Sequence, residues 1–469
     1  MPDQLIGSLE DNVLTMLVWD EHNAPNVALK VLPDLFGTRA YQKIAQSAIN
    51  YMSTYGSPPR GHIRDLLETD LSRGEEGRFL SQIIDAMERL ASDLQAPYVL
   101  SQLDRFVEVR KLTRSVEQAA DSLHTGDLES AREALATAGL TQQTPKPGVW
   151  LHDTSNWLRF LDKDEDEDLF SSGIDILDER GVRPVRGGLF LIMASSGTGK
   201  SWWLIEIAKR SIIENRQKVL HISLENDLEE TQQRYTQALL SMTSSEVTSL
   251  RVPVFRRDGM GRFSSIDFSQ VMPDQISSAK RNEIEVALQK YKNKCKLLVH
   301  WFPTGMLTVG QLASLLDTLD HTEGFKPDLV VLDYADLMHT DSRDLRISLG
   351  QLFRDLRGLA GSRNFAMVTA TQGNRISSTA RIVGANMVSE DWSKIGTADT
   401  VCTYSQTLDE RDIGIARVLV AKARRSRDKW IALLTQSYAT GQFCLDSCFF
   451  NKLAESEVLR HTGGEEDRE

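Results

Sequence analysis

Cysteine is scarce in this chain of 469 residues: Cys295, Cys402, Cys444 and Cys448 are the full complement. They are too few and too scattered for a disulfide framework. Cys444 and Cys448 have neither a second pair nor a histidine partner at metal-ligand spacing, which argues against zinc. Long apolar runs are missing as well. No stretch reaches the roughly 18 residues needed to cross a bilayer, and the start, Met1-Pro2-Asp3-Gln4, lacks a basic segment and an apolar core. A soluble cytoplasmic protein with no membrane partner is expected. Positive charge is also in deficit, with 54 Lys and Arg against 66 Asp and Glu and a net charge of -12. That balance does not exclude a nucleic-acid partner, because binding depends on where basic groups lie rather than on their sum. The acid is unevenly placed, with two dense runs, Asp162 to Asp168 and the tail after Arg460, which read as solvated linker and tail.

Against these absences stands one dense motif. Residues 194–201 read Ala-Ser-Ser-Gly-Thr-Gly-Lys-Ser, directly after the apolar run Leu189 to Met193. Trp203, Leu204, Ile207, Ala208 and Ile212 then repeat at helical spacing. A strand, a glycine-rich turn and a helix N-terminus are what a triphosphate requires. Gly197 and Gly199 let the backbone approach, so that successive N–H groups can face phosphate oxygens. Lys200 can reach the β- and γ-phosphates, and the Ser201 hydroxyl can ligate Mg²⁺. The segment Ser195, Ser196, Gly197, Thr198, Gly199, Lys200, Ser201 and Trp202 is therefore the expected ATP-binding loop. Ala194 departs from the strict pattern, which has glycine there, at little cost if its φ is negative.

Further pieces follow in order. Val219 to Ile222 form a short apolar strand ending in Ser223-Leu224-Glu225, where a carboxylate can polarise an attacking water as general base. Asp328-Leu329-Val330-Val331-Leu332-Asp333 is an apolar strand closed by an aspartate, placed to hold Mg²⁺ through a water. A fourth strand, Phe365 to Ala370, ends in Thr371-Gln372, and the Gln372 amide can contact the γ-phosphate. The polar segment from Gly373 to Ala398 carries Arg375, Arg381 and Lys394 and reads as a loop that contacts nucleic acid or as an ordinary surface loop. Ala416 to Ala421 alternates like a strand and runs into Lys422-Ala423-Arg424-Arg425-Ser426-Arg427. Nothing in the local spacing carries that basic cluster to its own subunit's phosphates. A neighbouring subunit's phosphates are one target, and a plain basic hairpin tip is the alternative.

Punctuation divides the chain. Residues 1–141 are helical almost throughout, with Ile44, Ala45, Ala48, Ile49 and Met52 on one face. The breaker cluster Thr144-Pro145-Lys146-Pro147-Gly148 opens a linker over 142–170, with a short helix around Trp157 to Leu161. Residues 171–450 alternate strands and helices, the pattern of an α/β core with a mostly parallel central sheet flanked by helices. Residues 243–274 show no clear period and read as an insertion or a set of loops, and 451–469 as an acidic tail.

In order, Ala-Ser-Ser-Gly-Thr-Gly-Lys-Ser, Ser-Leu-Glu-Asn, Val-Val-Leu-Asp-Tyr-Ala-Asp-Leu, Ala-Thr-Gln-Gly-Asn-Arg and Ala-Lys-Ala-Arg resemble the ATPase domain of DnaB-type hexameric replicative helicases. Phe302-Pro303-Thr304-Gly305 and Arg427-Asp428-Lys429-Trp430 bring the likeness nearest to the T-even phage branch of that family. The resemblance implies a RecA-like motor behind an all-α N-terminal collar, assembled as a homohexamer that hydrolyses ATP with Mg²⁺. It implies 5′→3′ travel on single-stranded and forked DNA in a phage replisome, in the host cytoplasm, with a primase and a helicase loader as partners. Lys422 and Arg424 match the family's Lys-x-Arg pair, which enters the adjacent subunit's site, with Arg425 leaving open which arginine acts. The loop near Arg375 would line the pore, and the helix near Trp157 would dock on a neighbour. The alternatives are a RecA-fold regulatory ATPase and a recombinase-like DNA-binding filament without unwinding activity.

Overall fold

The computed structural model describes residues 2–128, 168–214, 216–292, 296–340, 345–373 and 393–462, with scattered positions between 130 and 161. The chain separates into two compact units, Met1–Gly148 and Val149–Glu469. Among the described residues no helix is long and apolar enough to cross a membrane.

The first unit is all helix. Its main elements are α1 (Pro2–Trp19), α2 (Ala24–Lys30), α3 (Arg39–Tyr55), α4 (Gly74–Leu90) and α5 (Ala96–His124). Thr38 caps α3 by accepting from the Tyr41 amide, and Gly56 ends it with a φ of 74°, a conformation that favours glycine. The helical spacing of Ile44, Ala45, Ala48 and Met52 closes one core with Val13, Leu14 and Leu17 of α1, Ile84 of α4 and Phe106 of α5.

The second unit is built on a nine-stranded sheet. Its strands are β1 (Leu189–Ala194), β2 (Lys218–Ser223), β5 (Lys296–Trp301), β6 (Leu329–Asp333), β7 (Ala366–Gln372), β8 (Thr400–Ser405), β9 (Ile415–Ala423), β10 (Trp430–Ser437) and β11 (Gln442–Phe449). A separate hairpin contributes β3 (Leu250–Arg257) and β4 (Phe263–Val271). The sheet order is β11-β10-β9-β8-β1-β7-β6-β2-β5. The run from β8 to β5 is parallel, and β9 to β11 add antiparallel strands at one end. Such strands read as unbroken apolar runs because both faces are covered. On one face Phe190, Ile192, Val331 and Val368 meet Trp203, Leu204 and Ile207 of α6 (Lys200–Ile213). On the other, Leu189, Leu191, Val330, Leu332 and Met367 meet α8 (Val309–Glu323) and α9 (Leu345–Arg363), with α7 (Leu228–Leu240) following β2 in sequence.

Two segments differ from the sequence reading. Residues 243–274, read as loops, contain the β3–β4 hairpin, closed at Asp258, whose carboxylate accepts from the Met260 and Arg262 amides. Pro253 inside β3 and a register shift at Arg256 and Arg257 break the alternation that would have revealed it. The segment read as a tail begins with a helix, α11 (Lys452–Thr462), whose Ala454 and Val458 pack with Phe255, Ile266 and Leu433. Small apolar residues four apart give a narrow packing stripe that the surrounding charge hides.

Candidate active site

Strand order brings the motif residues to one edge. β7 lies between β1 and β6, and β2 flanks β6, so the carboxyl ends of all four strands are neighbours. In register, Ala194 faces Gln372 and Ser223 faces Asp333. The glycine-rich loop, Glu225, Asp333 and Gln372 therefore share the carboxyl edge of the sheet.

The loop leaves β1 at Ala194, which sits in ordinary extended geometry, so the departure from glycine costs no strain. Gly197 and Gly199 take φ values of 72° and 108°. At Gly199 the requirement is also steric, since a Cβ there would lie 2.2 Å from the Tyr438 hydroxyl. That hydroxyl donates to the Thr198 carbonyl at 3.0 Å, and the Thr198 hydroxyl donates to the Ser195 carbonyl at 2.7 Å. Gly199 caps α6, whose N-terminal amides and aligned peptide dipoles favour an anion at this point. Lys200 is buried and folded back on the loop, donating to the Ser195 carbonyl at 3.0 Å. Burial lowers its pKa, opposed by the carboxylates of Glu225, Asp333 and Asp336. Trp202 stacks with Tyr438 at 6.4 Å and carries the Arg234 guanidinium 5.5 Å from its ring centre, an aromatic and cationic surface beside the loop.

Asp333 is buried, and burial pushes its pKa up to about 6, with the Ser201 hydrogen bond opposing that rise. Among the described residues its Oδ1 has no hydrogen-bond partner. An orphaned carboxylate oxygen beside a serine hydroxyl suits a hydrated divalent cation, so Ser201 and Asp333 fit the expected Mg²⁺. Glu225 stands exposed on a fixed turn: the Leu224 amide donates to the Asp333 carbonyl at 2.7 Å, and the Thr304 hydroxyl donates to the Leu224 carbonyl at 2.7 Å. Thr304 of the Phe302-Pro303-Thr304-Gly305 exit thus fixes the peptide that leads into Glu225.

Lys422 and Arg424 lie elsewhere. β9 runs antiparallel to β8, so its final residues sit at the amino edge, where Ala423 faces Thr400. The Arg424 amide donates to the Asp399 carbonyl, and the Asp399 carboxylate accepts from the amide of Leu189, the first residue of β1. Five strand steps at about 3.3 Å each put Arg424 roughly 17 Å from the glycine-rich loop of its own chain. Lys422 donates to three carbonyls, those of Ile395, Gly396 and Ala398, at 2.7–2.8 Å. Arg424 and Arg425 are both exposed, and the Arg424 guanidinium is held by Asp399 at 2.9 Å.

Lys394 departs from the expectation of a DNA contact. It is fully buried in the short helix α10 (Ser393–Thr397) and pairs with Asp336 at 2.8 Å. A lysine enters a core only with a partner carboxylate, and this one has no accessible cation left for a strand of DNA. Arg375, Arg381 and Trp157 lie outside the described residues. Asp336, Arg234 and Tyr438 were missed by sequence reasoning. Asp336 had a signal, as a second acid three residues after Asp333; Arg234 and Tyr438 had none.

Residues 170–437, more than half of the chain, match the family described as DnaB-like helicase C terminal domain. Among solved structures, a DnaB-like replicative helicase, studied with its interactions with primase, is similar at 16% identity and a TM-score of 0.55, covering 92% of this chain and 98% of that one. A second solved structure, an isolated ATPase domain, is similar at 15% identity and a TM-score of 0.49, covering 65% of this chain and 100% of that one. No curated protein matches the chain.

Proposed function

Because the chain belongs to the DnaB-like helicase family, ATP-dependent DNA helicases, we propose that it works as a homohexameric ring with each ATP held between two subunits. The observation that carries this reading is the separation of Arg424 from its own glycine-rich loop by the length of β1. A permanently charged fork at the opposite edge serves a phosphate only if that phosphate belongs to a neighbour.

In this reading the loop amides from Ser195 to Ser201 and the Lys200 ammonium bind the triphosphate, and Trp202 with Arg234 lines its base side. Ser201 and Asp333 would hold Mg²⁺, which neutralises phosphate charge when bound. Glu225 orients and deprotonates the attacking water, the backbone of Leu224 before it being held by Asp333 and Thr304. Gln372, between the loop strand and the Asp333 strand, contacts the γ-phosphate. Lys422 and Arg424 leave their partners on their own chain and face charge developing in the adjacent site.

We further read the ring as travelling 5′→3′ on single-stranded DNA at a fork, with the segment around Arg375 and Arg381 on that strand. It fits the T-even phage branch, the host cytoplasm, and a primase and loader as partners; the primase finds support in the similar helicase described with one. The test is strand separation on a forked duplex with ATP and Mg²⁺, beside light scattering. Unwinding that needs a free 5′ tail, fails in Lys200→Ala and comes from particles of six-chain mass is expected. Unwinding that needs a 3′ tail overturns the polarity, and full activity at monomer mass overturns the ring.

A further inference from the structure

Gln372, at the carboxyl edge of the sheet, and Lys422 with Arg424, at the amino edge, are linked through Asp336 and one short helix. At the carboxyl edge, Asp336 gathers the end of β7: its Oδ2 accepts from the Thr371 hydroxyl at 2.7 Å and from the Gln372 amide at 3.3 Å. Its Oδ1 accepts from Lys394 Nζ at 2.8 Å, and Lys394 also donates to the Thr371 hydroxyl at 3.3 Å. Lys394 is 0% exposed, with the Phe353 ring centre 5.5 Å from its ammonium. The pair therefore ties the Gln372 backbone to the first turn of α10.

The other end of α10 holds the basic pair. The carbonyls of Ile395, Gly396 and Ala398 accept from Lys422, and the Gly396 carbonyl also accepts from Arg424 at 3.4 Å. Asp399, directly after the helix, accepts from Arg424 at 2.9 Å and from Arg357 through both carboxylate oxygens at 2.9 Å. Ile395 and Ala398 are buried against the sheet, so the helix cannot shift at one end without moving the other. Charge balance points the same way. Lys394 keeps Asp336 neutralised, and without it a half-buried carboxylate beside Gln372 would be left uncompensated.

We propose that Lys394, acting through Asp336 and α10, is a positioning residue that couples a subunit's γ-phosphate sensor to the Lys422 and Arg424 pair it presents to its neighbour. This rests on the reading that Gln372 senses phosphate and Arg424 acts between subunits. A shift of Gln372 on loss of phosphate pulls Asp336 and Lys394, tilts α10, and changes how Lys422 and Arg424 are released from its carbonyls and from Asp399. The path consists of hydrogen bonds and one ion pair joined by the backbone of α10.

Mixed rings of the full chain test it. Arg424→Ala subunits keep an intact ATP site and lack the arginine; Glu225→Gln subunits bind ATP without turning it over, so their γ-phosphate sensor stays engaged, and they keep the arginine. Mixing them restores turnover if Arg424 acts between subunits. Adding Lys394→Met to the Glu225→Gln chain then leaves only its effect on the basic pair to be read. The restored kcat is expected to fall roughly threefold to thirtyfold, with KM for ATP at the Arg424→Ala sites unchanged. An unchanged kcat overturns the coupling. No restored turnover in the control mixture overturns the reading between subunits, and the coupling with it. If Lys394→Met fails to assemble, Asp336→Asn with Lys394→Met removes both charges. That chain should enter rings and still show the loss of kcat; full restoration by it would reject the proposal.

Discussion

Gly199→Ala isolates the stereochemistry of the glycine-rich loop. The residue has a φ of 108°, outside the range an alanine readily adopts. Its Cβ would also fall 2.2 Å from the Tyr438 hydroxyl and 2.8 Å from Cζ, so the ring must retreat. That movement strips the hydroxyl from the Thr198 carbonyl at 3.0 Å and from the Tyr404 hydroxyl at 2.7 Å. Backbone strain of this kind costs about 1–3 kcal/mol. Loss of the bond to the half-buried Thr198 carbonyl costs about 0.5–1.5 kcal/mol more, while the Tyr404 hydroxyl keeps its bond to Gln436. A loop that relaxes to escape this strain must recover its shape to bind ATP, so part of the sum appears in affinity. At about 1.4 kcal/mol per factor of ten, the expected loss is at least tenfold. The assay is titration with a fluorescent ATP analogue, beside thermal melting. A double-mutant cycle separates the two causes. Tyr438→Ala removes the collision but not the φ, so the two changes should couple by at least about 1 kcal/mol. Affinity within threefold of the parent and unchanged melting would refute the reasoning.

Glu225→Gln should lower turnover by roughly 10²–10⁴ while ATP binding stays within a few-fold, since the amide keeps the shape but cannot take a proton; single-turnover hydrolysis beside equilibrium binding checks this. His221 hydrogen-bonds the Tyr235 hydroxyl at 2.7 Å in the core, and burial lowers its pKa to about 3. It is neutral when folded, while the unfolded chain takes up a proton below about 6.5, so its contribution is intact above that pH and is lost progressively between 6.5 and 3. At pH 5 the loss is up to roughly 2 kcal/mol. His221→Gln should flatten that limb of the denaturation profile, and an unchanged pH slope would count against a buried neutral histidine. The ion pair between Arg417 and Glu410 is almost wholly buried, at 1% and 2% side-chain exposure. Arg417→Met should cost about 3–5 kcal/mol by orphaning Glu410. Adding Glu410→Gln, which keeps the cap on the Thr407 amide, should recover most of it in urea unfolding followed by tryptophan fluorescence.

Much of this protein is legible in its residues alone. Unbroken apolar runs at β1 and β6 declare strands buried on both faces. The glycine spacing at 197 and 199, with Lys200 and Ser201 behind it, specifies a phosphate-binding turn because few other functions need that backbone. Glu225, Asp333 and Gln372 are legible as polar residues closing apolar strands, where order along the chain predicts a shared edge. Helical period in the first unit is equally plain. Local pattern, however, carries no information about depth. Lys394 reads as a surface cation because lysines usually are, and only the packing of α10 beside Asp336 shows it to be a buried counter-charge. Nor does it carry information about which edge of a sheet a hairpin reaches. That Lys422 and Arg424 stand a strand's length from their own loop follows from β9 running antiparallel to β8. Residue types and their spacing determined the chemistry; strand order, strand direction and burial, which depend on residues far apart in the chain, decided where that chemistry could act.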